Sequence, residues 1–261
     1  MTSRWKVAGL LGLLCLSAGE RPARAVENYI PSDFTLLTDD LTKTLVQTVA
    51  IGTDHRAYSA ATPLGVMLGI ELGVDVTGIK IPADFKSAIV LTSGVSADSV
   101  PDLVPVPTLQ IRKGFPLGVD VGFSYSHLAT TAGVIYNSMG GDIQWAFLRN
   151  KMKAPTLALR VSYASEKLFF IKSHQYSFDL VASKRLFIID PYVGAGFQVW
   201  SGELDVPEGV PTGTVTLTKS GNDPRFFVGL PLKLLVLKFT AEAAYSLGKI
   251  VTYGGKFSFS F

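Results

Sequence analysis

The chain has few of the residues that carry reaction chemistry. Its 261 residues include a single cysteine, Cys15, and three histidines. Charged residues make up 17%, against the ~25% usual in soluble globular proteins. Past residue 25, no stretch approaches the ~18 uninterrupted apolar residues from which a membrane-crossing helix is read. Each scarcity excludes something. One cysteine cannot form a disulfide within the chain, and no thiol remains once the first 25 residues are removed. No spacing of His, Cys and Asp suggests a zinc site, so neither metal nor cofactor is expected. Gly194-Ala195-Gly196 has no following helix and no lysine at phosphate-binding spacing, which excludes a nucleotide loop. Helical membrane spans are excluded too, although 48% of the chain is apolar.

Residues 1–25 read as an export signal. Arg4 and Lys6 precede an apolar core from Val7 to Ser17, and Ala23-Arg24-Ala25 is an A-x-A cleavage site. A lipoprotein signal at Cys15 fits less well, because Leu13-Leu14 precede the cysteine where a small residue is needed. Cleavage after Ala25 removes Arg4, Lys6, Arg21 and Arg24 against Glu20, a loss of +3 from a chain whose formal charge is +3. The exported protein is then close to neutral, and nucleic acid loses its electrostatic basis as a partner.

What remains alternates. Val66, Leu68, Ile70, Leu72, Val74 and Val76 face one way, with Gly69, Glu71, Gly73 and Asp75 on the other side. Period two with a continuous apolar face and a charged, glycine-rich reverse predicts a strand between lipid and a polar lumen. The pattern recurs in Pro105 to Lys113, Leu117 to Ser126, Leu157 to Tyr163, Ser173 to Ser183, Ile189 to Trp200, Arg225 to Leu232, Leu235 to Tyr245 and Val251 to Phe261. A segment from Thr131 to Phe147 changes phase, with Val134 and Tyr136 on one parity and Ile143, Trp145 and Phe147 on the other, which predicts a bulge near Met139-Gly140-Gly141 or a split at that point. Keeping it as one strand gives ten, an even number as expected of single-chain bacterial barrels. Long loops are expected at 77–104 and 201–223 on one side, with short turns on the other. Tyr125, Tyr163, Trp200 and Tyr245 near strand ends are candidates for interfacial girdles.

The chain closes on Tyr253, Gly255, Phe257, Phe259 and Phe261 at alternate positions, the last being the terminal residue. This ending resembles the closing strand of Gram-negative outer-membrane β-barrels, which the barrel assembly machinery reads. The resemblance implies an all-β antiparallel transmembrane barrel in the outer membrane, with the lipid bilayer and lipopolysaccharide as surroundings. In barrel character and N-terminal segment the chain also resembles OmpW-like and fatty-acid-channel-like small barrels, which implies passage or binding of a small, hydrophobic solute. Outer-membrane lipid A deacylases present a His-x-Ser arrangement. Here His127-Leu128-Ala129 lacks that serine, so no catalytic residue is assigned and an enzyme is not expected.

The domain reading is therefore a signal at 1–25, an N-terminal helical segment at 26–64 and a barrel at 65–261. In the middle segment Phe34, Leu37, Leu41 and Leu45 recur at helical spacing, and are the candidate plug if the helix enters the lumen. It could equally cap the mouth or lie on the membrane. Strand parity places Glu71, Asp75, Arg112, Asp120, Arg160, Asp179, Lys238, Glu242 and Lys256 in the lumen. Two outcomes stay open: internal ion pairs that close the barrel, its long external loops then making surface contacts, or a narrow water-filled channel.

Overall fold

The computed structural model describes residues 39–65, 68–84, 86–87, 90, 102–130, 133–149, 154–168, 171–207 and 214–261. The expected signal at 1–25, together with Phe34 and Leu37, lies outside the described residues.

Ten antiparallel strands close into a barrel in which each strand pairs with its neighbours in sequence. They are β1 (Ile70–Lys80), β2 (Leu103–Phe115), β3 (Val119–Thr130), β4 (Gly133–Leu148), β5 (Thr156–Leu168), β6 (Ile171–Ser183), β7 (Tyr192–Pro207), β8 (Thr214–Leu234), β9 (Leu237–Ser246) and β10 (Ile250–Ser260). Closure comes from β1 against β10, with Leu72 opposite Phe259 and Val74 opposite Phe257. The aromatic C-terminal strand is thus the seam.

The two faces of the wall are inverted relative to a soluble protein. In β6, Tyr176, Phe178 and Leu180 are exposed, whereas Ser177 and Asp179 between them are buried. The same holds in β2, where Leu109 and Ile111 point out while Gln110 and Arg112 point in. An apolar outside and a polar inside are stable only with hydrocarbon around the wall, and closure leaves no strand edge to satisfy there. The protein is an outer-membrane β-barrel.

Connections after odd-numbered strands form one rim, here called distal. Those after even-numbered strands form the rim that carries Phe261. Helix α1 (Asp39–Gly52) sits inside the barrel at the distal end. Leu45, Val46, Val49, Ala50 and Ile51 pack there against Trp200, Leu204, Ile171 and Ile250. From Thr53 the chain runs without regular structure down the lumen and reaches the opposite rim at Leu64, whose N–H is 3.2 Å from both carboxylate oxygens of Asp120 in β3. Gly65 and Gly69 then flank the return into β1 with φ of 99° and 42°. Side chains have no room here: a Cβ on Gly69 would lie 2.0 Å from the Gly65 carbonyl oxygen, and one on Gly114 would lie 2.3 Å from it.

Several boundaries differ from those the sequence predicts. The first strand starts at Ile70 rather than Val66 and continues through Thr77 to Lys80. Leu117 belongs to a turn with φ of 65°, not to β3. The loop expected at 201–223 is mostly strand: β7 runs on to Pro207 and β8 begins at Thr214, pairing as a hairpin. Alternating Thr residues at 214, 216 and 218 suit a strand as well as a loop, and β-branching favours the former. At the distal rim Lys86 Nζ donates to Asp102, holding that exposed carboxyl below the usual carboxylate range.

In β4 the predicted bulge near 139–141 is absent. The register shifts instead opposite Leu128/Ala129 and between Ala146 and Leu148. From Tyr136 to Phe147 the alternation is unbroken, because Tyr136 faces inward and is buried. Treating that tyrosine as lipid-facing is what produced the apparent slip.

Candidate functional site

The lumen is a candidate site because the segment 53–64 fills it and polar side chains hold it. All nine charged residues assigned to the lumen by parity are buried inside the wall. Five of them engage one another directly. Lys238 and Lys256 both reach Glu71, at 2.8 and 2.6 Å. Arg112 stands 4.0 Å from Asp120. Arg160 donates to the side-chain oxygen of Gln144 and to the Ser59 carbonyl. Glu242 accepts from the Tyr192 hydroxyl at 2.5 Å. Asp75 has one carboxylate oxygen without a hydrogen-bond partner.

Five residues at the centre escaped the parity assignment: Asp54, His55 and Arg56 on the threaded segment, Asp142 on β4 and Arg225 on β8. Asp142 was hidden by the misread phase of its strand. It accepts from Arg112 at 3.0 Å and lies 2.7 Å from Nε2 of His55, whose Nδ1 is 2.6 Å from the Ser124 hydroxyl. Asp54 receives three donors: Arg56 at 2.6 Å, Arg225 at 2.6 Å and Gln198 at 2.9 Å. Arg225 also donates to Asp179 at 2.8 Å. A run of three titratable residues, Asp54-His55-Arg56, in a chain so poor in charge was the signal available in the sequence.

The wall also satisfies the threaded backbone. Gln110 donates to the Arg56 carbonyl at 2.6 Å, Gln144 to that of Ala60 at 2.9 Å and Arg160 to that of Ser59 at 2.5 Å. An irregular chain inside a barrel has no ladder of its own, so its carbonyls need such partners. Tyr58 is fully buried, bonds to Thr77 through its hydroxyl and lies over Gly254. A Cβ on Gly254 would come within 1.9 Å of that hydroxyl.

Ser124, His55 and Asp142 form a hydroxyl–imidazole–carboxylate chain, the connectivity of a hydrolase triad. The space beside them is about 10 Å³, lined by Thr53, Asp75, Thr77 and Ser138. That is room for roughly one water, not for an acyl group, so in this conformation the chain of bonds fastens the segment to the wall. Among the described residues no group of His, Cys, Asp and Glu could hold a metal.

At the distal mouth, Leu45 is buried and Leu41 packs at the edge of the same cluster. Trp200 is not a girdle residue: it is buried inside, under α1, with its indole N–H on Asp223 at 2.7 Å. Gln47 of α1 donates to the same carboxylate at 2.8 Å. His174 stays on the outer face, 2.9 Å from the Tyr163 hydroxyl.

No curated protein matches the chain. Among solved structures it is similar to the N-terminal β-barrel domain of Pseudomonas aeruginosa OprF, at 17% identity over 54% of this chain and 96% of that one, with a TM-score of 0.32. It is also similar to the KdgM porin, at 10% identity over 73% and 99% with a TM-score of 0.37. The translocator domain of the autotransporter NalP from Neisseria meningitidis is similar at 10% identity over 85% and 95%, with a TM-score of 0.40. At these identities the likeness is one of barrel fold alone. Residues 32–261 match a single family model. With far more than half its length covered, the chain belongs to the family of unknown function DUF6588.

Proposed function

We propose that the protein is an outer-membrane passage held shut by its own N-terminal segment, and that small hydrophilic solutes cross when residues 53–64 leave the lumen. The observation that carries this is the chemistry of the filling. From Asp54 to Ser59 the segment is held mainly by hydrogen bonds and ion pairs, and only Ala60 and Ala61 pack against an apolar cluster that includes Phe227 and Tyr192. Polar contacts can be exchanged for water, and the wall left behind would be hydratable above and below the apolar ring around Phe227. In the same picture residues 1–25 are the export signal, 26–64 the plug and 65–261 the barrel. Tyr253, Gly255, Phe257, Phe259 and Phe261 are the ending read by the assembly machinery, and lipopolysaccharide is the outer-leaflet neighbour.

The test is single-channel recording on the refolded mature protein with a reversible lock. A Cβ on Gly202 in β7 would lie 2.5 Å from Val46 Cγ1 in α1, so Val46→Cys with Gly202→Cys places two sulfurs within bonding reach. The mature chain otherwise lacks cysteine. Openings that vanish on oxidation and return on reduction support a gated passage. Silence in the reduced state, with barrel folding confirmed by heat-dependent gel migration, would leave a closed barrel acting through its distal loops.

A second reading follows the resemblance to OmpW-like and fatty-acid-channel-like barrels. A groove of about 460 Å³ runs along the outer wall over β1 and β2, lined by Leu72, Val74, Leu109 and Ile111 between the aromatics Phe123, Tyr125, Phe257 and Phe259. It favours a hydrophobic solute moving along the outside. Binding of a fluorescent fatty acid that is unchanged by the lock would support it.

A further inference from the structure

We infer that the opened barrel passes small hydrophilic cations in preference to anions. This rests on the gated passage proposed above and names its substrate class.

The charges left on the wall once the segment departs decide the matter. Four of the five buried wall cations are bonded to three wall carboxylates. Arg112 is bonded to Asp142, Arg225 to Asp179, and Lys238 and Lys256 share Glu71. These pairs link strand to strand, so they remain when the segment moves. The fifth cation, Arg160, meets no carboxylate and instead donates to Gln144 and to Ser59.

With two lysines on one glutamate, and Arg160 besides, two positive charges are left against four further carboxylates. Asp120 lies at the rim of the C-terminus, where it holds the Leu64 N–H. Asp75 lines the water-sized space at mid-depth. Glu242 faces Arg56, which leaves with the segment. Glu166 lies toward the distal end, opposite Ser173 in β6. The departing segment takes Asp54 and Arg56 together, so its own charge barely alters the count. Among the described residues the wall therefore keeps seven buried carboxylates and five buried cations.

Two of these acids carry an independent sign. Asp75 Oδ1 and Glu166 Oε1 are buried and have no hydrogen-bond partner. Both residues are less than 5% exposed. A buried acceptor that nothing donates to is costly in a sealed interior. In a hydrated lumen the same oxygens face water and passing cations. Acids at successive depths give a cation a relay of weak sites, the arrangement by which carboxylate-lined pores select for charge.

The measurement is the reversal potential of single openings across a KCl gradient, on the refolded mature protein carrying the Val46/Gly202 cysteine pair in its reduced state. Potassium permeability should exceed chloride by about threefold or more. In the added Asp75→Asn and Glu166→Gln background the ratio should fall to about one, with opening frequency read separately. Openings that prefer chloride, or show no preference, would overturn the inference and leave the gated passage standing. A ratio unchanged by the two substitutions would overturn the role given to these acids. Complete silence would sink passage and selectivity together. If the substituted protein does not insert, the sign of the reversal potential without those substitutions decides alone.

Discussion

The two halves of the N-terminal segment are held in the barrel by opposite physics. Helix α1 presents Val46, Val49 and Ile51 to Trp200, Leu204 and Ile250 and is fixed by apolar burial. Residues 53–64 are fixed mainly by donors and acceptors, with a small apolar contact of Ala60 and Ala61: Asp54 to Arg225, His55 to Asp142, and three carbonyls to Gln110, Arg160 and Gln144. Apolar contacts, once broken, are not replaced by anything water offers. Polar contacts are replaced almost one for one, provided water reaches both partners. On the gating proposed above, the helix would set how often the lumen opens, and the polar half would decide whether the barrel survives with a partner missing while it is closed.

That division can be broken most severely at Arg225, which bridges Asp54 on the segment and Asp179 on the wall. Arg225→Ala leaves two buried carboxylates facing each other without their shared cation. We expect about 3–5 kcal/mol of lost stability, read as a lower urea midpoint for unfolding in detergent micelles. A loss below about 1 kcal/mol would mean that water already reaches this pair.

On the apolar side, Ile51→Ala removes a fully buried side chain from the cap. The expected cost to the closed state is about 2–5 kcal/mol. The barrel itself should unfold nearly as before, because Ile51 is not part of the wall. The effect belongs in the recordings instead. The open fraction should rise by about tenfold or more, since ~1.4 kcal/mol corresponds to a factor of ten. A drop in unfolding midpoint without extra openings would show that α1 braces the wall rather than closing it.

The contrast also explains what the sequence discloses. The lipid face is legible because a strand between two different solvents shows its period directly, as in Leu237, Phe239 and Tyr245 against Lys238, Thr240 and Glu242. Strand number and closure follow from the same signal. The threaded segment shows no period at all, because a chain at the axis of a barrel meets wall on every side and has no face. Asp54, His55 and Arg56 therefore read as an ordinary polar stretch. Tyr136 and Trp200 mislead for a related reason. An aromatic near a strand end points to the interface by habit, yet here each turns inward, Tyr136 to Ile79 and Val106 and Trp200 to α1. The phase error at Tyr136 then hid Asp142, the residue that joins His55 to Arg112. Its parity was recoverable by counting back from Trp145, whose outward face is unambiguous.

A smaller effect is expected at the lower end of the segment. Thr62 Oγ1 lies 3.1 Å from the Ser183 hydroxyl, part-buried. Thr62→Val removes one neutral hydrogen bond while keeping the shape, worth about 0.5–1.5 kcal/mol. Unfolding midpoints should move little, and opening frequency should rise only slightly. An effect as large as that of Ile51→Ala would place the moving part at the C-terminal rim instead of at α1.

The sharpest comparison replaces polar fixing by apolar fixing at one site. Asp54→Leu, Arg56→Met, Arg225→Met and Asp179→Leu together exchange a buried charge cluster for side chains of similar reach. Removing one member of such a cluster is severe, but replacing all of it is often neutral or stabilising, by about 1–4 kcal/mol. The unfolding midpoint should therefore stay where it is or rise in this variant. Opening should nevertheless cease, because the segment could leave only by exposing four apolar side chains to a wet lumen. Stability retained with conductance lost would mean that the charges are there so that the contact can be broken. Conductance retained would mean that the polar half is incidental to opening, and that α1 alone controls the passage.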